Sequence, residues 1–489
     1  MNSILSIFFI VCLIGCSGNV QPEPKPEPVP VSPEGKEVTI YVTTNNRSRD
    51  FEKQTVNFSK EQASSSIMLN PRQRYQSIDG FGAALTGSSA YNLLQMTDEN
   101  RTKFLKATFS HDNGMGYSYV RISIGCSDFS LSDYTCWDAR NVDFALTSEE
   151  NDYIIPVIKE ILTINPELKI MGSPWTCPRW MKVDNLTNLS PFNSWTSGQL
   201  NPAYYQDYAD YFVKWILAFA GEGIAIYSVT PQNEPLNRGN SASLFMGWHE
   251  QRDFVKDALL PHFKNAGLST KIYLFDHNYN YDNMGDQYEY PVKIYDAGVT
   301  DNLVAGAAYH NYGGNKNELV KIHNKYPDKE LVFTETSIGT WNDGQNFSIR
   351  LIDDMREIAL GTVNNWCKAV IVWNLMLDTS MGPYRPGGCN VCYGAVDIDR
   401  SNYQDIRKNS HYYIMGHLSA VVKPDATRIG ATGGDGLIYS AFENIDGSYA
   451  LVALNDSDKN KETTISDGVN RFTYTIPSKS VVSYRWGKK

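Results

Sequence analysis

The chain has 489 residues, too many for one small core and enough for one large barrel or for two to three ordinary domains. A hydrophobic share of 42% supplies ample burial, and 30 Tyr with 10 Trp suit flat hydrophobic ligands as well as cores. A formal charge of -10 offers no basic face to a phosphate backbone, which excludes nucleic acid as a partner and leaves neutral polymers open as substrates.

The first informative stretch is apolar, from Ile4 to Ile14, and is too short to span a bilayer. It ends in Leu13-Ile14-Gly15-Cys16 before small polar residues, the pattern of a bacterial lipoprotein signal, although Met1-Asn2-Ser3 brings no Lys or Arg. Cys16 is then the expected lipidation site, and an ordinary cleaved signal is the alternative. Either way the chain is expected to be exported. With Cys16 lipidated it is anchored to the bacterial envelope, the outer membrane being the expected location. Pro at 22, 24, 26, 28, 30 and 33, alternating with Glu, Lys and Val, makes a stiff extended stalk that cannot bury a core.

From about residue 75, short apolar or β-branched runs recur at 77–83, 117–124, 169–173, 225–230, 271–276, 304–309, 331–334 and 369–375. Helix-like stretches lie between them. Thr147-Ser148-Glu149-Glu150 reads as a capping box, with Pro156 expected to shift the helix start, and 204–220 and 251–264 carry apolar residues at helical spacing. Eight such units predict a (β/α)8 barrel of the α/β class, since Gly80-Phe81-Gly82 lacks the third glycine of a dinucleotide loop.

Beyond Ser410 the pattern becomes short alternating runs at 436–442, 448–454, 471–476 and 480–486, with no convincing long helix, which predicts a β-sandwich. The strand-like 38–43 and 67–69 precede the barrel and are expected to pair with this tail, making the sandwich discontinuous. The domain reading is a signal at 1–15, a Pro-rich linker at 16–37, sandwich strands at 38–75, the barrel at 76–408 and the C-terminal sandwich at 409–489. In the mature chain six Cys remain, an even number that permits disulfides, and Cys389-x-x-Cys392 is expected to be a loop staple, having no second pair at zinc spacing.

Reacting groups of such a barrel stand at the C-terminal ends of its strands. Here these ends carry Arg121 and Asp128, Trp175 and Trp180, Asn233-Glu234, Asp276-His277-Asn278, His310-Asn311-Tyr312, Glu335, and Trp373-Asn374 with Asp378. Glycoside hydrolysis needs one carboxylic acid to protonate the leaving oxygen and one carboxylate across the anomeric carbon. Glu234 and Glu335, on the fourth and seventh runs, face each other across the barrel and can stand roughly 5 Å apart, the spacing of a retaining enzyme. Asn233 can bond a sugar 2-hydroxyl, Arg121 can keep Glu335 ionised, and the Trp rings can stack on a pyranose while Asp128 and Asp378 accept from its hydroxyls. No metal and no cofactor is expected.

The runs Gly80-Phe81-Gly82-Ala83-Ala84-Leu85-Thr86, Arg121-Ile122-Ser123-Ile124-Gly125-Cys126-Ser127-Asp128-Phe129, Ser173-Pro174-Trp175-Thr176-Cys177-Pro178-Arg179-Trp180, Pro231-Gln232-Asn233-Glu234-Pro235, Thr334-Glu335-Thr336 and Trp373-Asn374-Leu375 resemble glycoside hydrolase family 30. So does Tyr412-Tyr413-Ile414-Met415-Gly416-His417, which looks like that family's return from barrel to sandwich. The resemblance implies a retaining β-glycoside hydrolase with Glu234 as acid/base and Glu335 as nucleophile. It further implies a glycone subsite of Arg121, Asp128, Trp175, Asn233, Tyr312 and Trp373. Gly387-Gly388-Cys389-Asn390-Val391-Cys392-Tyr393-Gly394 is more similar to the β-1,6-glucanase branch, so β-1,6-glucan is the expected substrate, with glucosylceramide or another β-glucoside as alternative. A non-catalytic glycan-binding lipoprotein is the remote alternative, and would have no need of both carboxylates and Arg121.

Overall fold

The computed structural model describes residues 37–488, so the signal, Cys16 and almost all of the Pro-rich segment lie outside the described residues. Eight parallel strands close into a barrel in chain order: β1 Gly80–Ala84, β2 Tyr119–Ser123, β3 Lys169–Ser173, β4 Ser228–Val229, β5 Lys271–Asn278, β6 Val304–His310, β7 Glu330–Glu335 and β8 Cys367–Val372. These are the eight runs read from the sequence. β4 is short because Pro231, following Thr230, has no N–H to give a ladder. Tyr119, Met171, Tyr273, Ala308, Val332, Ala369 and Ile371 fill the interior, which makes the barrel a packed plug and confines chemistry to its rim. Gly82, in the first motif, has a packing role: a Cβ there would fall 1.9 Å from the Tyr119 carbonyl oxygen on the adjacent strand.

The helices bury one face against the outside of the barrel. The Glu150 carboxylate accepts from Thr147 N and Oγ1 at 2.9 and 2.6 Å, as a capping residue does, and the α-helix proper, Ile155–Ile164, starts one wide turn later with Pro156 in its first turn. The second Pro-containing stretch behaves alike, with a wide turn Val255–Leu259 before Leu260–Asn265. Among the described residues no helix is long and apolar enough to cross a membrane.

Nine further strands form a sheet in the order Glu52–Asn57, Glu37–Thr44, Ser480–Trp486, Tyr449–Asn455, Ile438–Glu443, Thr427–Gly433, Ser65–Ser77, Lys461–Ser466, Arg471–Ile476, and short two- and three-stranded pairings lie in the loops. Strands preceding the barrel thus pair with strands following it: Glu37–Thr44 runs antiparallel to Ser480–Trp486, and Ser65–Ser77 antiparallel to Thr427–Gly433. One finding departs from the tail as read. Ser410–Ser419 is an α-helix, and all ten of its residues are buried, so it shows no amphipathic stripe from which to be recognised. Its His417 bonds Thr43 Oγ1 and Ser483 Oγ, both at 2.8 Å, tying the helix to two sandwich strands.

Candidate active site

Arg121 organises the rim. It is fully buried on β2, and its guanidinium donates to Glu335 Oε2 at 2.6 Å, Asn233 Oδ1 at 2.7 Å, Asp276 Oδ2 at 2.8 Å and Ser173 Oγ at 3.2 Å. The planar fork can serve these partners on separate strands at once, which a point charge cannot. Asp276 reaches it through a bulge. The register of β5 shifts between Phe275 and His277, and Phe275 and Asp276 both take left-handed backbone, φ 69° and 73°. That turn places a carboxylate under the guanidinium, where Thr230 and Thr334 hydroxyls also donate to it at 2.7 and 2.6 Å. Burial alone would raise Asp276, but Arg121 and His310 outweigh it and hold the carboxyl well below the usual range.

Glu234 follows β4 in left-handed backbone, φ 44°, its N–H bonded to Asp276 O at 3.0 Å. Its Oε2 accepts from Asn237 and Asn240 amides at 2.8 and 2.5 Å, and its Oε1 faces His310 Nδ1 at 3.5 Å. His310 Nε2 lies 2.9 Å from Asp276 Oδ1. Burial works against a charged His310, yet Glu335, Asp276 and Glu234 overcome it and raise the ring to about 9. In turn, burial would raise Glu234, but His310 and His277 hold it down to about 2. Glu335 is pushed up, by burial first and by the Glu234 charge, against His310 and Arg121. One oxygen of each carboxylate and one His310 nitrogen lie within 4.8 Å of one another. Arg121 already occupies Glu335 Oε2, so the positive charge facing these carboxylates comes from its guanidinium and from the His310 ring.

The other expected residues divide cleanly. Trp175 and Trp373 stack at 5.0 Å between centroids with the Arg121 guanidinium 4.9 Å from Trp175, and Tyr312 donates to Glu335 Oε1 at 3.2 Å. Asp128 is half-buried with its Oδ1 atom buried and unpartnered, free to bond a ligand hydroxyl, and desolvation together with the charges of Glu335 and Glu234 raises its carboxyl well above the usual range. Asp378 and Trp180 stay outside the cluster: Asp378 Oδ1 accepts from Ser380 and Gly382 N–H, and Trp180 packs on Trp137 and donates to its carbonyl. Asp276 and His310, seen in the sequence as strand ends, prove to be central to the site. Cys389 and Cys392 form a disulfide in the loop after β8, and Cys126, Cys136, Cys177 and Cys367 are free and buried.

A closed (β/α)8 barrel with two carboxylates at strand ends, one oxygen of each within 4.8 Å of the other, and stacked Trp rings beside them has the features of a retaining glycosidase. The chain belongs to glycosyl hydrolase family 30: the family's TIM-barrel domain matches residues 78–422 and its beta sandwich domain residues 425–484. It is 30% identical to the endo-1,6-beta-D-glucanase BGN16.3 of Trichoderma harzianum, covering 84% of each chain. To the lysosomal acid glucosylceramidase of Mus musculus it is 27% identical, over 86% of this chain and 84% of that one. Among solved structures it is similar to the endo-beta1,6-glucanase BT3312, with 62% identity and a TM-score of 0.91, over 93% of this chain and all of that one.

Proposed function

We propose that this chain hydrolyses the backbone of β-1,6-glucan by double displacement, with Glu335 as nucleophile and Glu234 as acid/base. The observation that carries the substrate is the 62% identity to an endo-β-1,6-glucanase along that protein's whole length, against 27% to a glucosylceramidase. The roles follow from the partners. Arg121 holds Glu335 Oε2 at 2.6 Å and Tyr312 donates to the other oxygen, which fixes the carboxylate for attack on the anomeric carbon, and the guanidinium charge opposes the burial that raises this group. Glu234 has no guanidinium partner and faces His310, whose other nitrogen is held by Asp276.

His310, raised to about 9, can pass its proton across the 3.5 Å contact to Glu234, which gives neutral His310 and protonated Glu234, the form that protonates the departing O6. The bond from Glu335 to the anomeric carbon then forms as the glycosidic bond breaks. Glu234, now a base, takes a proton from water as that water displaces Glu335, so the product keeps the β configuration. Asn233 spends its carbonyl on Arg121 and keeps its amide N–H for the sugar 2-hydroxyl.

The Gly15-Cys16 pattern and Pro-rich segment support export, lipidation at Cys16 and display on a stalk at the bacterial envelope. The test of the substrate is hydrolysis of linear β-1,6-glucan beside xylan, glucosylceramide and an aryl β-glucoside, with products sized. A ladder of β-1,6-linked oligosaccharides is expected. Turnover of glucosylceramide with no attack on the glucan would overturn the proposal.

A further inference from the structure

A cavity of about 420 Å³ opens beside the carboxylate pair, lined by Tyr312, Thr336, Ser337 and Trp341 with Arg350 and Asp353. It is continuous with the site through Tyr312, whose hydroxyl lies 3.2 Å from Glu335 Oε1 and 3.1 Å from Ser337 Oγ. Trp341 is 51% exposed, unlike Trp175 and Trp373 at 2% each. An exposed indole beside a polar cavity is costly to leave in water unless something covers it.

Its setting makes it a fixed platform. Trp341 sits in the turn Thr340–Asn342, directly after the short strand Ile338–Gly339, which pairs antiparallel with Cys392–Tyr393. Gly339 N donates to Asn342 Oδ1 and Thr340 N to Val391 O, both at 2.9 Å, and the Cys389–Cys392 disulfide closes the partner loop. A Cβ on Gly339 would fall 1.9 Å from the indole, so the ring packs directly against bare backbone there while about half of the residue stays exposed. A ring already immobilised loses little entropy on stacking, and the hydroxyl, carboxylate and guanidinium around it match the rim of a sugar.

We propose that Trp341 and this cavity form a second saccharide subsite, which stacks a further pyranose of the substrate chain outside the pocket of Trp175, Trp373 and Asp128. This rests on the β-1,6-glucanase reading. The test compares kcat/KM on an aryl β-glucoside with that on β-1,6-linked gluco-oligosaccharides of increasing length. In Trp341→Ala the gain from added sugars should shrink roughly tenfold, as expected for uncovering one ring face. Gly339→Ala, which pushes the ring aside, should lose a similar share of that gain, and Trp341→Phe should keep most of it, with melting temperatures near wild type. If wild type gains with length and both alanine variants gain equally, the subsite is refuted. If wild type turns over the aryl glucoside but not the β-1,6 series, the substrate reading has failed instead.

Discussion

Replacing Arg121 by lysine keeps the charge and removes the fork. The guanidinium serves Glu335, Asn233 and Asp276 from two terminal nitrogens, and an ammonium at that depth can hold one carboxylate. The lost contacts are one charged bond of about 1.5–3 kcal/mol and one to the Asn233 amide oxygen of about 1 kcal/mol. Expressed in the transition state, that is a fall in kcat/KM of roughly 10²- to 10³-fold. Arg121→Ala goes further and takes the guanidinium from both carboxylates, leaving His310 as their remaining positive neighbour, a loss on the order of 3–5 kcal/mol. The pH sign is fixed by Asp276, which the fold holds low: its stabilisation is present above the unfolded value of about 4 and disappears as pH falls. The urea-midpoint deficit of Arg121→Ala should therefore be largest near pH 7 and shrink towards about pH 3.5. A Lys variant with wild-type kcat/KM, or an Ala deficit independent of pH, would refute the reasoning.

His310→Gln removes the group that stores the proton up to about pH 9, so the alkaline limb of kcat/KM should move down by at least about one unit while the acid limb stays; an unmoved alkaline limb would contradict proton sharing with Glu234. Because His310 is raised above its unfolded value of about 6.5, its stabilisation is complete below that value and lost as pH rises through about 9, so the melting deficit of the same variant should be larger at pH 6 than at pH 9.5. Cys16→Ala should move the protein from the membrane to the soluble fraction with kcat/KM unchanged, and unaltered partitioning would count against lipidation.

Much of the barrel was legible because parallel strands covered on both faces read as unbroken apolar runs, and β3 matches its run from Lys169 to Ser173. Glu234, Glu335 and Arg121 were legible because carboxylate chemistry needs them at strand ends. Asp276 was visible only as a strand end. Its contact with Arg121 depends on the bulge at Phe275 and Asp276, and no residue pattern announces a left-handed pair of bulky residues. His310 gains its meaning from Asp276 and so was missed with it. Trp341 lies in a turn, where no periodicity distinguishes a platform from a loop. In the sandwich, Glu52–Asn57 went unread because it is a polar, largely exposed edge strand, and Thr427–Gly433 because Gly430 and Gly433 dilute its apolar pattern.

The assignment of the two carboxylates is tested most directly by azide rescue with a dinitrophenyl β-glucoside, whose leaving group departs without protonation. Glu234→Ala should still be glycosylated on Glu335 and stall there, and azide should restore turnover and yield the β-glycosyl azide. Glu335→Ala has no covalent route, so azide should attack directly and yield the α-glycosyl azide. If the two products appear with the variants exchanged, nucleophile and acid/base have been assigned the wrong way round; if neither variant is rescued and both keep wild-type turnover, these carboxylates do not carry the reaction.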